Sequence, residues 1–251
     1  MIPSLYAALT EPEPQRKCAL VAALSSPVSF ATDDDPDRIP GRPQRPRLVH
    51  PSKVPFRGLG TADGRAALIH AVAHIEFNAI NLALDACWRF RGLPEAYYRD
   101  WLSVAQDEAR HFLMLSDRLQ QLGHDYGDFE AHNGLWEAAE KTRDDVLVRM
   151  ALVPRVLEAR GLDVTPGMIR RLSELRDSET VRVLEVILEE EVRHVEIGTR
   201  WFRHFCAERG LEPESTFHAL LAAHGMRIRL PLNRQARVRA GFTDNELSVA
   251  S

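Results

Sequence analysis

With 251 residues, 45% hydrophobic and 27% charged, the chain can bury a sizeable core as one domain with extensions, and it is neither disordered nor membrane-like in composition. A net charge of -4 disfavours non-specific nucleic-acid binding as the main activity, leaving room only for local basic patches. Cys18, Cys87 and Cys206 are odd in number, far apart and form no Cys-x-x-Cys pair, which argues against a disulfide framework or a zinc ribbon and fits a reducing cytoplasm.

In chain order, residues 1–25 read as short helices near 5–9 and 18–24, divided by Glu11-Pro12-Glu13-Pro14. Glu11, Glu13, Arg16 and Lys17 precede the apolar run that starts at Ala19, the wrong order for a signal peptide, and no apolar run is expected to span a bilayer. From about 26 to 60 the chain turns to Pro, Asp and Arg around Pro40-Gly41-Arg42-Pro43-Gln44-Arg45-Pro46, which excludes helix. An extended arm laid across a bundle and a solvated linker fit that composition equally.

Long helices follow. The first is expected over 65–91, with Ile69, Val72, Ala73, Glu76, Ile80, Ala83 and Cys87 facing inward; the second over 95–122, with Trp101, Val104, Ala105, Glu108, His111, Phe112, Leu115 and Leu119 on one face. The third is expected over 134–160, carrying Leu147, Ala151, Pro154 and Glu158, with a kink or bulge one turn before Glu158 where Pro154 cannot bond the Met150 carbonyl. A turn at 163–167 and a short helix at 168–175 lead to the fourth, over 178–209, with Val181, Leu184, Leu188, Glu191, His194, Val195, Gly198 and Phe202 inward. A fifth, over 213–225, precedes a tail with Arg227, Arg229, Arg234, Arg237 and Arg239, and strand-like alternation is absent throughout.

Two stretches repeat one pattern: Asp107-Glu108-Ala109-Arg110-His111 and Glu190-Glu191-Val192-Arg193-His194. Three residues advance a helix by about 300°, so each Glu lies beside its His. Together with Glu76 and Glu158, two helices offer one Glu each and two offer Glu-x-x-His, the ligand set of ferritin-like di-iron and di-manganese bundles. The expected architecture is therefore all-α: a ferritin-like four-helix bundle at 61–211, an N-terminal arm at 1–60, and an extra helix with a basic tail at 212–251.

Four converging carboxylates cost several kcal/mol each unless cations neutralise them, and two divalent ions would do so. Oxygen donors with one imidazole per metal suit two iron ions, with manganese as the alternative. Glu76 and Glu158 are expected as terminal ligands, Glu108 and Glu191 as bridges, and His111 and His194 as nitrogen ligands. Asp107 toward His194 and Glu190 toward His111 are placed to orient the imidazoles, with Arg110 and Arg193 pairing those acids; ordinary surface ion pairs are the competing reading.

This [Asp/Glu]-Glu-x-Arg-His pattern resembles that of di-iron oxygen-activating enzymes: bacterial multicomponent monooxygenases, acyl-carrier-protein desaturases and ribonucleotide reductase small subunits. A closer resemblance rests on Ala73-His74-Ile75-Glu76, Glu108-Ala109-Arg110-His111, the run from Val153-Pro154-Arg155 to Gly161-Leu162-Asp163, Pro231-Leu232-Asn233, Ala236-Arg237 and Ala240-Gly241-Phe242. These are similar to DUF455, a bacterial family of ferritin-like proteins of unknown function, which implies a fold and a metal site but no substrate.

The expected function is a cytoplasmic non-haem di-iron oxidoreductase that uses dioxygen or peroxide to oxidise a small molecule or, as in a related ferritin-like hydroxylase, a tRNA nucleoside. It would need an electron donor and act as a monomer or homodimer without a membrane partner. Iron handling as a ferroxidase or store, and a metal-stabilised binding protein, are the alternatives. His70 and His74 are expected to make structural hydrogen bonds, and Trp88, Tyr97 and Tyr98 to be core aromatics. Ala151 and Pro154 fit either room for a substrate or close packing. The tail arginines fit either a grip on an anion or a docked or solvated tail.

Overall fold

Helix periodicity and its stop signals account for most of the architecture. The computed structural model describes residues 4–28 and 35–248, and among these there is no strand, only an isolated bridge between Leu48 and Ala131. The elements are α1 (Leu5–Thr10), α2 (Pro14–Ala22), α3 (Ala62–Arg89), α4 (Glu95–Gln121), α5 (Gly134–Glu140), α6 (Val146–Leu152), a π-helical stretch (Val153–Glu158), α7 (Ala159–Glu174), α8 (Ser178–Glu208), α9 (Pro213–Ala223), α10 (Arg234–Arg239) and α11 (Asp244–Leu247). The chain divides into two compact units, Met1–Glu137 and Ala138–Ser251.

In the first unit α3 and α4 pack along their length, with α1 against α3 and α2 against α4. The expected inward residues of both long helices are buried, Val72 alone being half-buried, and Trp88, Tyr97 and Tyr98 are core aromatics. Contrary to the sequence expectation, α3 is long and apolar enough to cross a membrane. Yet 72% of its apolar window is buried inside the protein and it carries buried Glu76 and Asp85, which marks a core helix.

The arm is docked rather than solvated, although residues 29–34 of it lie outside the described residues. Gly41 N–H donates to the Leu9 carbonyl at the end of α1, where a Cβ on Gly41 would stand 2.1 Å from the Thr10 oxygen. Farther on, Arg45 donates to the Gly127 carbonyl and to Asp128, and the Leu48–Ala131 bridge carries two backbone bonds of 2.8 and 3.1 Å. Buried Lys17 donates to the carbonyls of Ala8 and Leu9, both at 2.9 Å, satisfying acceptors that the end of α1 leaves over.

In the second unit α8 packs against α6, the π stretch and α7. The single helix expected over 134–160 is broken at 141–145, because Asp145 caps α6 by accepting from Leu147 N–H at 2.7 Å. Buried Arg149 seals the break, donating to Thr142 Oγ1 and the Ala139 carbonyl, both at 2.7 Å. The bulge expected at Pro154 is present as the π stretch, which re-spaces the turn where Pro154 lacks a donor.

The turn expected at 163–167 does not form, and α7 runs through Pro166 instead. Pro166 leaves the Leu162 carbonyl without its helical donor, and Asn233 Nδ2 donates to that oxygen at 3.1 Å. The fourth and fifth helices lie where the periodicity predicts them, and α10 and α11 complete the tail. Arg155 is fully buried among the rings of Phe202, Phe217 and Phe242, 4.1–4.6 Å from their centroids, and pairs with Glu246 of α11 at 2.6 Å.

Pro154 and Gly198 show close packing rather than substrate space. A Cβ on Gly198 would lie 2.4 Å from both Cβ and Cγ of Pro154. Gly198→Ala is expected to destabilise the protein by about 1–3 kcal/mol through overpacking, read as a lowered Tm, and Pro154→Ala in the same chain should recover part of the loss. An unchanged Tm for Gly198→Ala would contradict this packing.

Candidate metal centre

In the first unit the Glu76 carboxylate of α3 faces Glu108 and His111 of α4, all three buried. His111 Nδ1–H donates to Glu76 Oε2 at 3.1 Å and lies 3.5 Å from Glu108 Oε2. These side chains offer ligand atoms within 4.8 Å of one another and could hold a metal ion. The residues following two of them, Phe77 and Phe112, pack at 5.5 Å, and Tyr126 packs against both at 5.7 and 4.9 Å. That aromatic cluster fixes the register of α3 on α4 and hence the spacing of the carboxylates.

The histidines next to the cluster are structural, as expected. His74 Nδ1 bonds the Tyr126 hydroxyl at 2.8 Å, and His70 Nε2 accepts from Gly127 N–H at 2.9 Å. Burial pushes both imidazoles down to about 4, so both are neutral.

Charge inside the cluster is held against strong opposition. Burial, reinforced by the Glu108 carboxylate, pushes the Glu76 carboxyl up to about 8. Burial also opposes a charged His111, but hydrogen bonds and attraction from Glu108 and Glu76 outweigh it and raise the imidazole to about 11. Protons thus do the neutralising that a divalent cation would do.

In the second unit Glu191 and His194 of α8 are buried side by side, with His194 Nδ1 3.2 Å from Glu191 Oε1. Both Glu-x-x-His copies therefore turn the same ring nitrogen toward carboxylate oxygen. Glu158 ends the π stretch and is half-buried. Among the described residues it does not join Glu191 and His194 in a group as close as that of the first unit.

The family profile described as "Protein of unknown function (DUF455)" matches residues 10–248. This chain belongs to the DUF455 family. An uncharacterised protein of Haemophilus influenzae is 45% identical over 260 residues, covering 96% of this chain and 90% of its own length. No solved structure matches.

Beside the cluster, Arg110 pairs with Asp107 at 3.0 Å, with Asp107 half-buried and Arg110 exposed. Glu190 is half-buried and Arg193 exposed. Sequence reasoning missed Tyr126 as the partner of His74, and it missed the buried pairs Arg155–Glu246 and Arg237–Asp163. Only tertiary structure brings those residues together.

Glu76 and His111 both hold protons more tightly folded than unfolded, from ordinary values of 4.5 and 6.5. The cluster's contribution to the stability of metal-free protein should therefore fall as pH rises from about 5 toward 9, because the unfolded state has released protons that the folded state retains, while His70 and His74 below about 6.5 and Lys17 above about 7, all lowered by burial, act in the opposite sense. A bound divalent cation needs the deprotonated ligands, so it should flatten or reverse that slope. Thermal unfolding from pH 5 to 9 with chelator and with manganese measures both slopes, and equal slopes would contradict this picture of the cluster.

Proposed function

We propose that this DUF455 protein is a non-haem di-iron oxidoreductase that uses dioxygen or peroxide to oxidise an organic substrate in the cytoplasm. The observation that carries the reading is the buried cluster of Glu76, Glu108 and His111. Two carboxylates excluded from water are costly without a cation, and oxygen donors with an imidazole suit iron, with manganese as the alternative. The repeat of Glu beside His at Glu191 and His194 supports a matching second half. Glu76, Glu108 and His111 would hold one ion and Glu158, Glu191 and His194 the other, the ligand set of a ferritin-like protein.

Bound there, iron would supply the redox chemistry that activates oxygen. The chain's own residues set the conditions for it. Protons held at Glu76 and at His111 Nδ1 would leave as cations enter, and the Phe77, Phe112 and Tyr126 cluster keeps the two ligand-bearing helices in register. Glu158, the most accessible of the six, sits where the π stretch ends. The three free, buried cysteines fit a reducing compartment. The docked arm and the buried Arg155 and Arg237 anchors exceed what a minimal cage subunit requires, which favours substrate oxidation over iron storage.

Protein expressed with iron should contain about two iron ions per chain by elemental analysis, and after reduction it should consume dioxygen. Glu108→Ala combined with Glu191→Ala should lose both properties while keeping its helical circular dichroism. Undiminished iron in that variant would overturn the metal site. A cage rather than a monomer or homodimer in native mass spectrometry would favour storage.

A further inference from the structure

The five tail arginines divide by what they touch. Arg237 is buried and donates to Asp163 at 2.7 and 3.0 Å; Arg239 pairs with Glu189, and Arg234 with Asp244 at 2.6 Å. Arg227 and Arg229 are exposed, and neither guanidinium has a hydrogen-bond or ion-pair partner among the described residues. Both line a cleft of about 520 Å³ within the second unit.

The cleft has an apolar side and a cationic side. Val156 and Leu157 of the π stretch, with Met226 and Ile228, supply the apolar part, and Arg160 adds a third cation near the two exposed arginines. Arg160 also donates to the carbonyls of Arg229, Leu230 and Pro231 at 2.8–3.2 Å. The segment carrying Arg229 is thus ordered before any ligand arrives, which lowers the entropy cost of binding. Asp163 offsets part of the charge, but it is already engaged by Arg237 and by Arg160, leaving the cationic side in excess.

We propose that this cleft binds a small organic anion bearing a phosphate group, with Arg227 and Arg229 gripping the phosphate and the apolar side taking the organic body. Guanidinium donors match phosphate oxygens in charge and geometry, and the volume falls in the range of small-molecule sites. A nucleic-acid strand fits less well. The net charge is -4, and Arg234, Arg237 and Arg239 are neutralised by acids, so the rest of the tail does not extend the cationic side of the cleft. Anion binding itself does not depend on the metal reading and is measured without metal.

Calorimetric titration of the full chain with inorganic phosphate, AMP, glucose 6-phosphate and adenosine tests the site. At least one organic phosphate should bind, more tightly than inorganic phosphate, whereas adenosine should not. Arg227→Ala with Arg229→Ala should weaken that binding by at least about tenfold, with Tm and metal content unchanged. Added salt should weaken it in the wild type. Failure of every phosphate to bind at millimolar concentration, or equal affinity in the double variant, would overturn the proposal. Inorganic phosphate binding as tightly as the organic phosphates would overturn the role of the apolar side.

Discussion

Two carboxylates held in a water-free core set the terms for the first unit. Glu76 and Glu108 reach toward one another from α3 and α4 with His111 between them, and each would cost several kcal/mol as an isolated buried ion. The aromatic contacts of Phe77, Phe112 and Tyr126 hold the two helices together around the cluster. A helix pair that kept such a cluster for stability alone would be better served by apolar side chains of similar size. The cluster could hold a metal ion, whose charge would offset that cost.

The second unit is shaped by a different constraint, the backbone acceptors that prolines strand. Pro154 sits in a π stretch that ends on Glu158, and Gly198 of α8 gives the ring its space. Pro166 lies within α7, where Asn233 meets the stranded Leu162 carbonyl. Arg155 and Arg237 then tie α10 and α11 to the same region through buried ion pairs with Glu246 and Asp163. Losing one partner of such a pair leaves a charge buried alone, so the tail is part of the fold rather than an appendage. The same ties leave Arg227 and Arg229 at the cleft.

Local periodicity made the long helices legible. α3, α4, α8 and α9 end within a few residues of the predicted boundaries, and Gly92 and Gly123 mark two ends with φ of 76° and 79°, where glycine is favoured. The Glu/His pairs were legible because i and i+3 must share a face. The break before Asp145 was written in a short polar run that a helical stripe disguised. Continuity through Pro166 was not legible at all, since its rescue comes from Asn233, which lies 71 positions from the carbonyl it satisfies. The docking of the arm likewise depends on acceptors near Gly127 and Ala131 that composition does not reveal.

The proposal that these six residues hold two ions makes one demand that diffraction can meet directly. Crystals of iron-loaded protein, measured at the iron absorption edge, should show two anomalous peaks, one at Glu76, Glu108 and His111 and one at Glu158, Glu191 and His194. Absence of anomalous density at these residues, in crystals whose protein contains iron, would contradict the account.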